Sequence, residues 1–129
     1  MLENPQAFYP DQQIRGYKPD VRLEGGDTFD AAGLSFETLS VPGHSPGHVA
    51  YWRESDRVLI AGDVLNSMNL ITAIPGLREP PKPFTTNPAL NRQSARRLGA
   101  LEPSLVVFGH GPPVRDTRKF VNFVNGLPA

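Results

Sequence analysis

The chain has 129 residues, with 13 Lys and Arg against 13 Asp and Glu, three His and no Cys. The length is typical of one domain, and the lack of cysteine excludes disulfides, a thiolate nucleophile and Cys-ligated metals. The balanced charge argues against nucleic-acid binding, and no apolar run approaches the roughly 20 residues that span a bilayer. Because the first residues carry no secretory pattern, the sequence predicts a cytoplasmic protein without a membrane or nucleic-acid partner.

Proline and glycine are abundant, with 14 Pro and 12 Gly, and many of them are clustered. Residues 1–20 hold several prolines without a helical or strand period, which predicts an irregular N-terminal arm. Residues 66–88 hold a second cluster, and a connection of this length usually has a function. The apolar residues concentrate elsewhere, so residues 21–129 are predicted to form a folded domain with long loops.

Short strands come first along the chain. Residues 21–23 predict a small strand, and a glycine pair closes it. Residues 34–41 alternate apolar and polar side chains and predict a longer strand. Residues 48–53 and 57–61 are two further apolar segments joined by a short polar turn, which predicts a β-hairpin.

Helices enter in the second half of the sequence. Asn87 followed by a proline is a typical helix start, and apolar residues on one face predict a helix over residues 88–101. Residues 105–108 are continuously apolar and predict a buried strand. Asp116 can cap a last helix that runs to about residue 125. This order of strands and helices predicts an α/β or α+β fold, with a mixed sheet and flanking helices.

The ionisable residues follow the predicted strands. His44, His48 and His110 each lie at the end or mouth of a strand, and Asp63 follows residues 57–61. Open α/β sheets place ligand sites beyond the carboxyl ends of their strands, so these side chains could form a metal site. A single His near a turn is more commonly a surface or hydrogen-bonded residue, and an Asp after a strand is commonly a turn cap.

Three motifs carry a resemblance to a known family. They are PGHSPGH over residues 42–48, AGD over residues 61–63 and GHG over residues 109–111. Their order resembles the downstream motifs of the metallo-β-lactamase superfamily, and the resemblance covers about residues 27–115. It implies an αββα sandwich of two pseudo-equivalent halves, with a site for one or two metal ions at one end of the sheets.

The resemblance also implies a role for each site residue. His44 is similar to the histidine ligand of the first metal, Asp63 to the carboxylate that bridges both metals, and His110 to the histidine ligand of the second. His48 matches a position that is generally not a ligand, so it is expected to support the ligands from behind. The implied cofactor is zinc, as one or two ions in the intact fold, with iron or manganese as alternatives.

One departure from the family is as informative as the match. The upstream His-x-His-x-Asp-His cluster is absent, and all three histidines are already assigned. The sequence therefore resembles the C-terminal half of the fold, expected to be inactive alone and to hold one open metal site or none. Three explanations remain open: a fragment of a longer hydrolase, a natural half-domain that pairs with another chain, or a metal-free binding and assembly module.

Half of a two-layer fold leaves an apolar sheet face without its usual partner layer. Phe36, Val49, Tyr51 and Ile60 lie on the strands that would form this face. The sequence therefore predicts self-association, or association with a partner chain, through it.

The resemblance narrows the chemistry to the glyoxalase-II-like, lactonase-like and general hydrolase branches. Their shared reaction is the attack of metal-activated hydroxide on an ester, thioester or amide carbonyl of a small molecule. In this chain Asp63 would orient that water, and no other catalytic residue is identified. An iron-dependent sulfur dioxygenase is the alternative enzyme.

The loop over residues 66–88 is a candidate for the substrate wall. Met68, Leu70 and Phe84 are its main candidate residues, with Ile71 and Leu77 beside them. The alternative is a loop that simply packs on the domain.

Overall fold

The computed structural model describes residues 23–129. Within them lie seven strands, two α-helices and one short 3₁₀ helix, and six of the strands precede the first helix. The strands are β1 (Thr28–Ala31), β2 (Leu34–Ser40), β3 (Val49–Arg53), β4 (Val58–Gly62), β5 (Asn66–Met68), β6 (Pro75–Arg78) and β7 (Leu105–Phe108). The helices are α1 (Pro88–Gly99) and α2 (Thr117–Asn125), and the 3₁₀ helix spans Lys82–Phe84.

Five strands form one mixed sheet in the order β1-β2-β3-β4-β7. Neighbours from β1 to β4 are antiparallel, while β7 runs parallel to β4. A parallel neighbour requires a crossover connection, and helix α1 lies in the segment that joins the two strands. The predicted α+β class, with a mixed sheet and helices, is confirmed.

The hydrophobic core lies between the helices and one face of this sheet. Burial alternates along β3, β4 and β7, as expected for strands with one covered face. The helices contribute apolar residues to the same cluster, and the ring centroids of Phe108 and Phe120 are 6.4 Å apart. Helices α1 and α2 approach so closely that a Cβ on Gly99 would lie 2.4 Å from Val124 Cγ2.

The opposite face of the sheet is apolar but only half-buried. Phe29 stacks on Phe36 at 5.4 Å and meets Tyr51 edge-on at 5.5 Å. The guanidinium of Arg53 lies 5.6 Å from the centre of the Phe36 ring. Tyr51 is paired in register with Ile60, so the apolar surface extends from β1 across to β4. We refer to this surface as the outer sheet face.

The predicted helices agree with the structure because their signals are local. The side chain of Asn87 accepts a hydrogen bond from the backbone N–H of Leu90, and Asp116 accepts one from Lys119. Gly126 is the C-cap of α2, as predicted. The predicted hairpin over residues 48–61 corresponds to β3 and β4, and residues 34–40 form β2.

Three parts of the sequence prediction need correction or lie outside the described residues. Leu23 belongs to no strand, and the other two residues of the predicted 21–23 strand, like the arm over residues 1–20, fall outside the described part. The loop over residues 66–88 is not irregular, because it contains the β5–β6 hairpin and the 3₁₀ helix. Strand β1 was not predicted at all.

Neither helix in the described part of the chain is long and apolar enough to cross a bilayer.

Candidate functional site

Asp63 and His110 meet at one edge of the sheet because their strands are parallel. Asp63 directly follows β4, and His110 follows β7 after one glycine. Gly62 adopts a φ of 63°, a backbone conformation that favours glycine, and its carbonyl accepts a hydrogen bond of 3.0 Å from Gly109 N–H. The two strand ends are thereby fastened together directly beneath the two side chains.

His44 reaches the same edge from the loop between β2 and β3. The carbonyl of Gly43 accepts a hydrogen bond from Asn87 N–H at 2.8 Å, and the carbonyl of His44 accepts one from Thr86 N–H at 3.2 Å. A Cβ on Gly43 would lie 2.3 Å from the backbone of Asn91, so no larger residue fits there. The histidine loop is therefore anchored against the start of helix α1.

The carboxylate of Asp63 is the centre of the site. His110 Nδ1 lies 3.1 Å from Asp63 Oδ1, and His44 Nε2 lies 3.9 Å from Asp63 Oδ2. The side chains are 22% exposed for His44, 34% for Asp63 and 49% for His110, so all three are accessible to a small ligand. The structure thus brings the three sequence-predicted ligand residues together, with one imidazole near each carboxylate oxygen.

A hydrogen-bond relay orients the ring of His44. Thr85 Oγ1 donates to the carbonyl of Pro81 at 3.0 Å, which leaves this oxygen free to accept from His44 Nδ1 at 3.4 Å. With the proton on Nδ1, the lone pair of Nε2 is directed to the side where Asp63 lies. Partners of this kind fix the tautomer of metal-binding histidines.

His48 lies behind the carboxylate rather than beside it. Its Nε2 is 3.3 Å from the carbonyl oxygen of Ala61 and 3.3 Å from the backbone nitrogen of Asp63. Its ring centroid is 5.9 Å from that of His44. His48 therefore contacts the backbone on both sides of Gly62, a geometry suited to holding the Asp63 turn.

A cavity of about 200 Å³ opens over the three residues. Its polar lining consists of His44, Asp63, Asn66 and His110, and its apolar lining of Leu70, Pro80, Pro81 and Phe84. Of the predicted substrate-wall residues, Leu70 and Phe84 line the cavity. Met68 does not line it, Leu77 packs against the core, and Ile71 is 95% exposed.

The donors match zinc or iron in kind but not in number. Two imidazole nitrogens and a carboxylate are ordinary ligands of either metal. Within residues 23–129, however, no three His, Cys, Asp or Glu residues form a group that could hold a metal ion. Asp63 pairs with each histidine separately, so a closed site requires further donors.

Two residues of the site were missed by the sequence analysis. Asn66 and Thr85 are both buried, and neither belongs to a motif. An asparagine at the start of a short strand and a threonine in a proline-rich segment carry no pattern of their own. Only the fold places Thr85 against His44 and Asn66 in the wall of the cavity.

The sequence profile of the metallo-beta-lactamase superfamily matches residues 3–110. The chain belongs to this superfamily. Among curated relatives, it is 33% identical over 82 residues to the probable metallo-hydrolase YflN of Bacillus subtilis, covering 59% of this chain and 31% of the relative. It is 48% identical over 46 residues to a hydroxyacylglutathione hydrolase of Methylococcus capsulatus, covering 36% of this chain and 18% of that enzyme.

Solved structures of superfamily members share the fold. A metallo-beta-lactamase family protein of Thermus thermophilus, TTHA1429, matches 83% of this chain with 28% identity and a TM-score of 0.61, over 34% of its own length. A second protein, TTHA1623, solved in a di-iron-bound form, matches 88% of this chain with 30% identity and a TM-score of 0.55, over 56% of its own length. The chain spans about a third or less of the two curated relatives described above.

Proposed function

We propose that this chain supplies one side of a metallohydrolase centre that acts on an ester or thioester carbonyl of a small molecule. The observation that carries the proposal is the Asp63 carboxylate, with an imidazole near each of its oxygens at the edge where β4 and β7 end. The similarity to proteins named metallo-hydrolase and hydroxyacylglutathione hydrolase supports this reaction class.

In this proposal His44, Asp63 and His110 are metal ligands. Thr85 orients His44, and His48 holds the backbone turn from which Asp63 projects. A bound zinc ion would supply Lewis-acid activation of water and of the substrate carbonyl. The residues of this chain would orient the attacking water through Asp63 and present the substrate against Leu70 and Phe84.

The remaining metal donors are proposed to come from outside residues 23–129. Three donors can hold a catalytic zinc, but two metals need more than the described residues offer. A longer chain could supply the missing donors, and so could a partner chain.

Iron chemistry is the second candidate, as in an iron-dependent sulfur dioxygenase. The observation that favours it is the related structure in a di-iron-bound form. The donors of this chain suit iron as well as zinc, so the reaction and not the metal content separates the two candidates: a dioxygenase consumes oxygen, whereas a hydrolase does not.

Metal analysis tests the proposal directly. The purified protein should bind zinc or iron, and Asp63→Ala and His44→Ala should each lower the affinity by about tenfold or more. Asp30→Ala, which removes an exposed carboxylate from β1, is the matched control and should leave the affinity unchanged. If the wild type and both site variants bind equally little metal, this chain alone is not a metalloprotein. Hydrolysis of ester and thioester substrates by the metal-loaded protein would show that the described donors suffice for the reaction, whereas metal binding without hydrolysis is the result expected of one side of the centre.

A further inference from the structure

Two polar residues of helix α1 are buried against the loops that carry His44 and Asp63. Asn91 is 1% exposed, and Ser94 is completely buried. Polar side chains are mostly exposed in proteins, and burying one destabilises the fold unless it makes hydrogen bonds. The hydrogen-bond partners of these two residues therefore indicate their role.

Each of the two side chains donates a hydrogen bond to a main-chain carbonyl close to one candidate ligand. Ser94 Oγ donates to the carbonyl of Pro42 at 2.7 Å, two residues before the histidine of that loop. Asn91 Nδ2 donates to the carbonyl of Val64 at 2.9 Å, directly after the candidate carboxylate ligand. Both carbonyls lie between strands, where the regular hydrogen-bond pattern of the sheet has ended. Helix α1 thus provides one buried donor for each loop.

The two donors lie on the same face of the helix. They are three positions apart in the sequence, which places their side chains nearly one turn from each other. One reaches the loop between β2 and β3, and the other reaches the loop between β4 and β5. This face therefore fixes the two loops relative to each other, and with them the 3.9 Å between His44 Nε2 and Asp63 Oδ2.

The pairing of Asn91 is incomplete. Its Oδ1 is buried without a hydrogen-bond partner in the described structure. An unpaired buried acceptor destabilises the fold, and a leucine of similar size would avoid this loss. The bond to Val64 is therefore the feature that favours asparagine over an apolar residue at this position.

The His110 loop is held independently of helix α1. Ser67 N–H donates to the carbonyl of His110 at 3.1 Å, and Ser67 Oγ donates to the carbonyl of Pro112 at 2.5 Å. Because this anchor belongs to β5, changes in α1 should leave it in place. The Ser67 amide is therefore an internal reference for changes in the other two loops.

We propose that Asn91 and Ser94 are positioning residues that set the separation of His44 and Asp63. Neither lines the cavity over the site, so each acts through the main chain of the loop that it holds. The inference takes His44 and Asp63 as metal ligands and in that respect rests on the proposed function.

Asn91→Leu and Ser94→Ala each remove one donor with little change of shape. In Asn91→Leu, the loss of the bond to Val64 and the loss of the unpaired oxygen act in opposite directions, so the Tm should stay within a few degrees of the wild type. Val124→Ala is the matched control. Val124 is completely buried and lies close to Gly99 at the other end of α1, so its truncation should lower the Tm without contacting either loop.

Amide hydrogen exchange of the metal-free protein reports how firmly each loop is held. Gly109 N–H donates to the carbonyl of Gly62 in the turn before the carboxylate, and Asn87 N–H donates to the carbonyl of Gly43 in the histidine loop. The exchange rate of each amide is divided by that of the Ser67 amide. Local opening of one loop changes its own ratio, whereas global unfolding raises all three rates.

The two variants should each change one ratio. In Asn91→Leu the Gly109 ratio should rise about fivefold, as expected for the loss of one hydrogen bond. In Ser94→Ala the Asn87 ratio should rise by a similar factor, and the core control should leave both ratios unchanged. Unchanged ratios in the two variants, or equal rises in the core control, would assign both residues a purely structural role and overturn the proposal.

A zinc titration tests the consequence for the site. Asn91→Leu and Ser94→Ala should each bind zinc about tenfold more weakly than the wild type, whereas Val124→Ala should bind it as tightly. Undiminished affinity in both variants would contradict the proposal. If the wild type itself binds no zinc, the proposed function fails while the exchange ratios still decide the positioning roles, so the two failures are distinguishable.

Discussion

The position of the Asp63 carboxylate is determined by residues that carry no charge of their own. Gly62 provides the turn at a φ of 63°, where a Cβ would lie 2.8 Å from His48 Nε2. Gly109 leaves the space into which the carboxylate extends, since a Cβ there would lie 2.2 Å from Asp63 Oδ1. These two glycines explain at atomic scale why the AGD and GHG motifs need the residue next to the acidic or basic group to be small.

Gly109→Ala should therefore displace the carboxylate while leaving the fold intact. The new methyl group meets the end of a flexible side chain and not backbone, so Asp63 can rotate away. Displaced supporting contacts typically cost about 10- to 100-fold in metal affinity, and this is the expected loss in a zinc titration. Gly47→Ala, where nothing lies within 4 Å of the added Cβ, is the control. An unchanged affinity in Gly109→Ala would contradict the assignment of Asp63 as a ligand.

The Arg53–Asp56 ion pair, which lies away from the site, makes the stability of the fold depend on pH. The hydrogen bond from Arg53, at 2.6 Å, lowers the pKa of Asp56 and raises that of Arg53. A carboxyl with a depressed folded pKa stabilises the protein above its unfolded pKa, near 4, and this contribution is lost as the pH falls through the folded value. Between about pH 5 and pH 2 the Tm of Asp56→Asn should therefore fall less steeply with decreasing pH than the Tm of the wild type. Because the pair is exposed, high salt should diminish the difference between the two proteins.

At the scale of elements, the sequence predicts those helices and strands whose signals lie within their own segments. Helices α1 and α2 have side-chain caps at Asn87 and Asp116, and β7 is a short apolar run, so each signal lies within its own segment. The β1–β2 turn uses Ala32 and Gly33, both with positive φ, without the Asn-Gly pair that usually marks such a turn. Strand β6 begins with a proline, which is unusual for a strand. The turn before it depends on Asn69, whose side-chain oxygen accepts hydrogen bonds from Ile71 and Thr72 N–H.

Helix α1 and the histidine loop are coupled through Asn87. Its side chain caps the helix, and its backbone N–H donates to the carbonyl of Gly43. Asn87→Ala should lower the free energy of unfolding by about 1 kcal/mol, measured by urea denaturation. Asn87→Asp keeps an acceptor at the cap and should retain most of the stability. If Asn87→Ala had the same urea denaturation midpoint as the wild type, this would contradict the stabilising role of the cap.

For the whole molecule, the order of three motifs was sufficient to predict the family. It was also sufficient to predict that His44, Asp63 and His110 lie together at one edge of the sheet. Asn66 and Thr85 could not be predicted, because their contacts join segments far apart in the sequence: Thr85 lies against His44, and β5 lies against the His110 loop. Such contacts depend on the packing of the assembled fold, whereas the three motifs were identifiable from their residues alone.

The two faces of the sheet differ in a way that predicts association. One face is covered by α1 and α2, whereas the outer sheet face leaves Phe36, Val49, Tyr51 and Ile60 only half-buried. We propose that a second copy of the chain covers this face, because burial of apolar surface drives association. Sedimentation velocity should show a dimer that dissociates on dilution.

Ile60→Lys should shift this equilibrium to the monomer, because it adds a charge to the apolar face. Ile71→Lys adds the same charge at a side chain that is 95% exposed and away from the sheet, so it should leave the dimer intact. Circular dichroism of Ile60→Lys must retain the wild-type spectrum, which separates loss of association from loss of folding. A wild-type protein that stays monomeric at every concentration would exclude a second copy as the covering layer and leave a partner of different sequence to occupy that face.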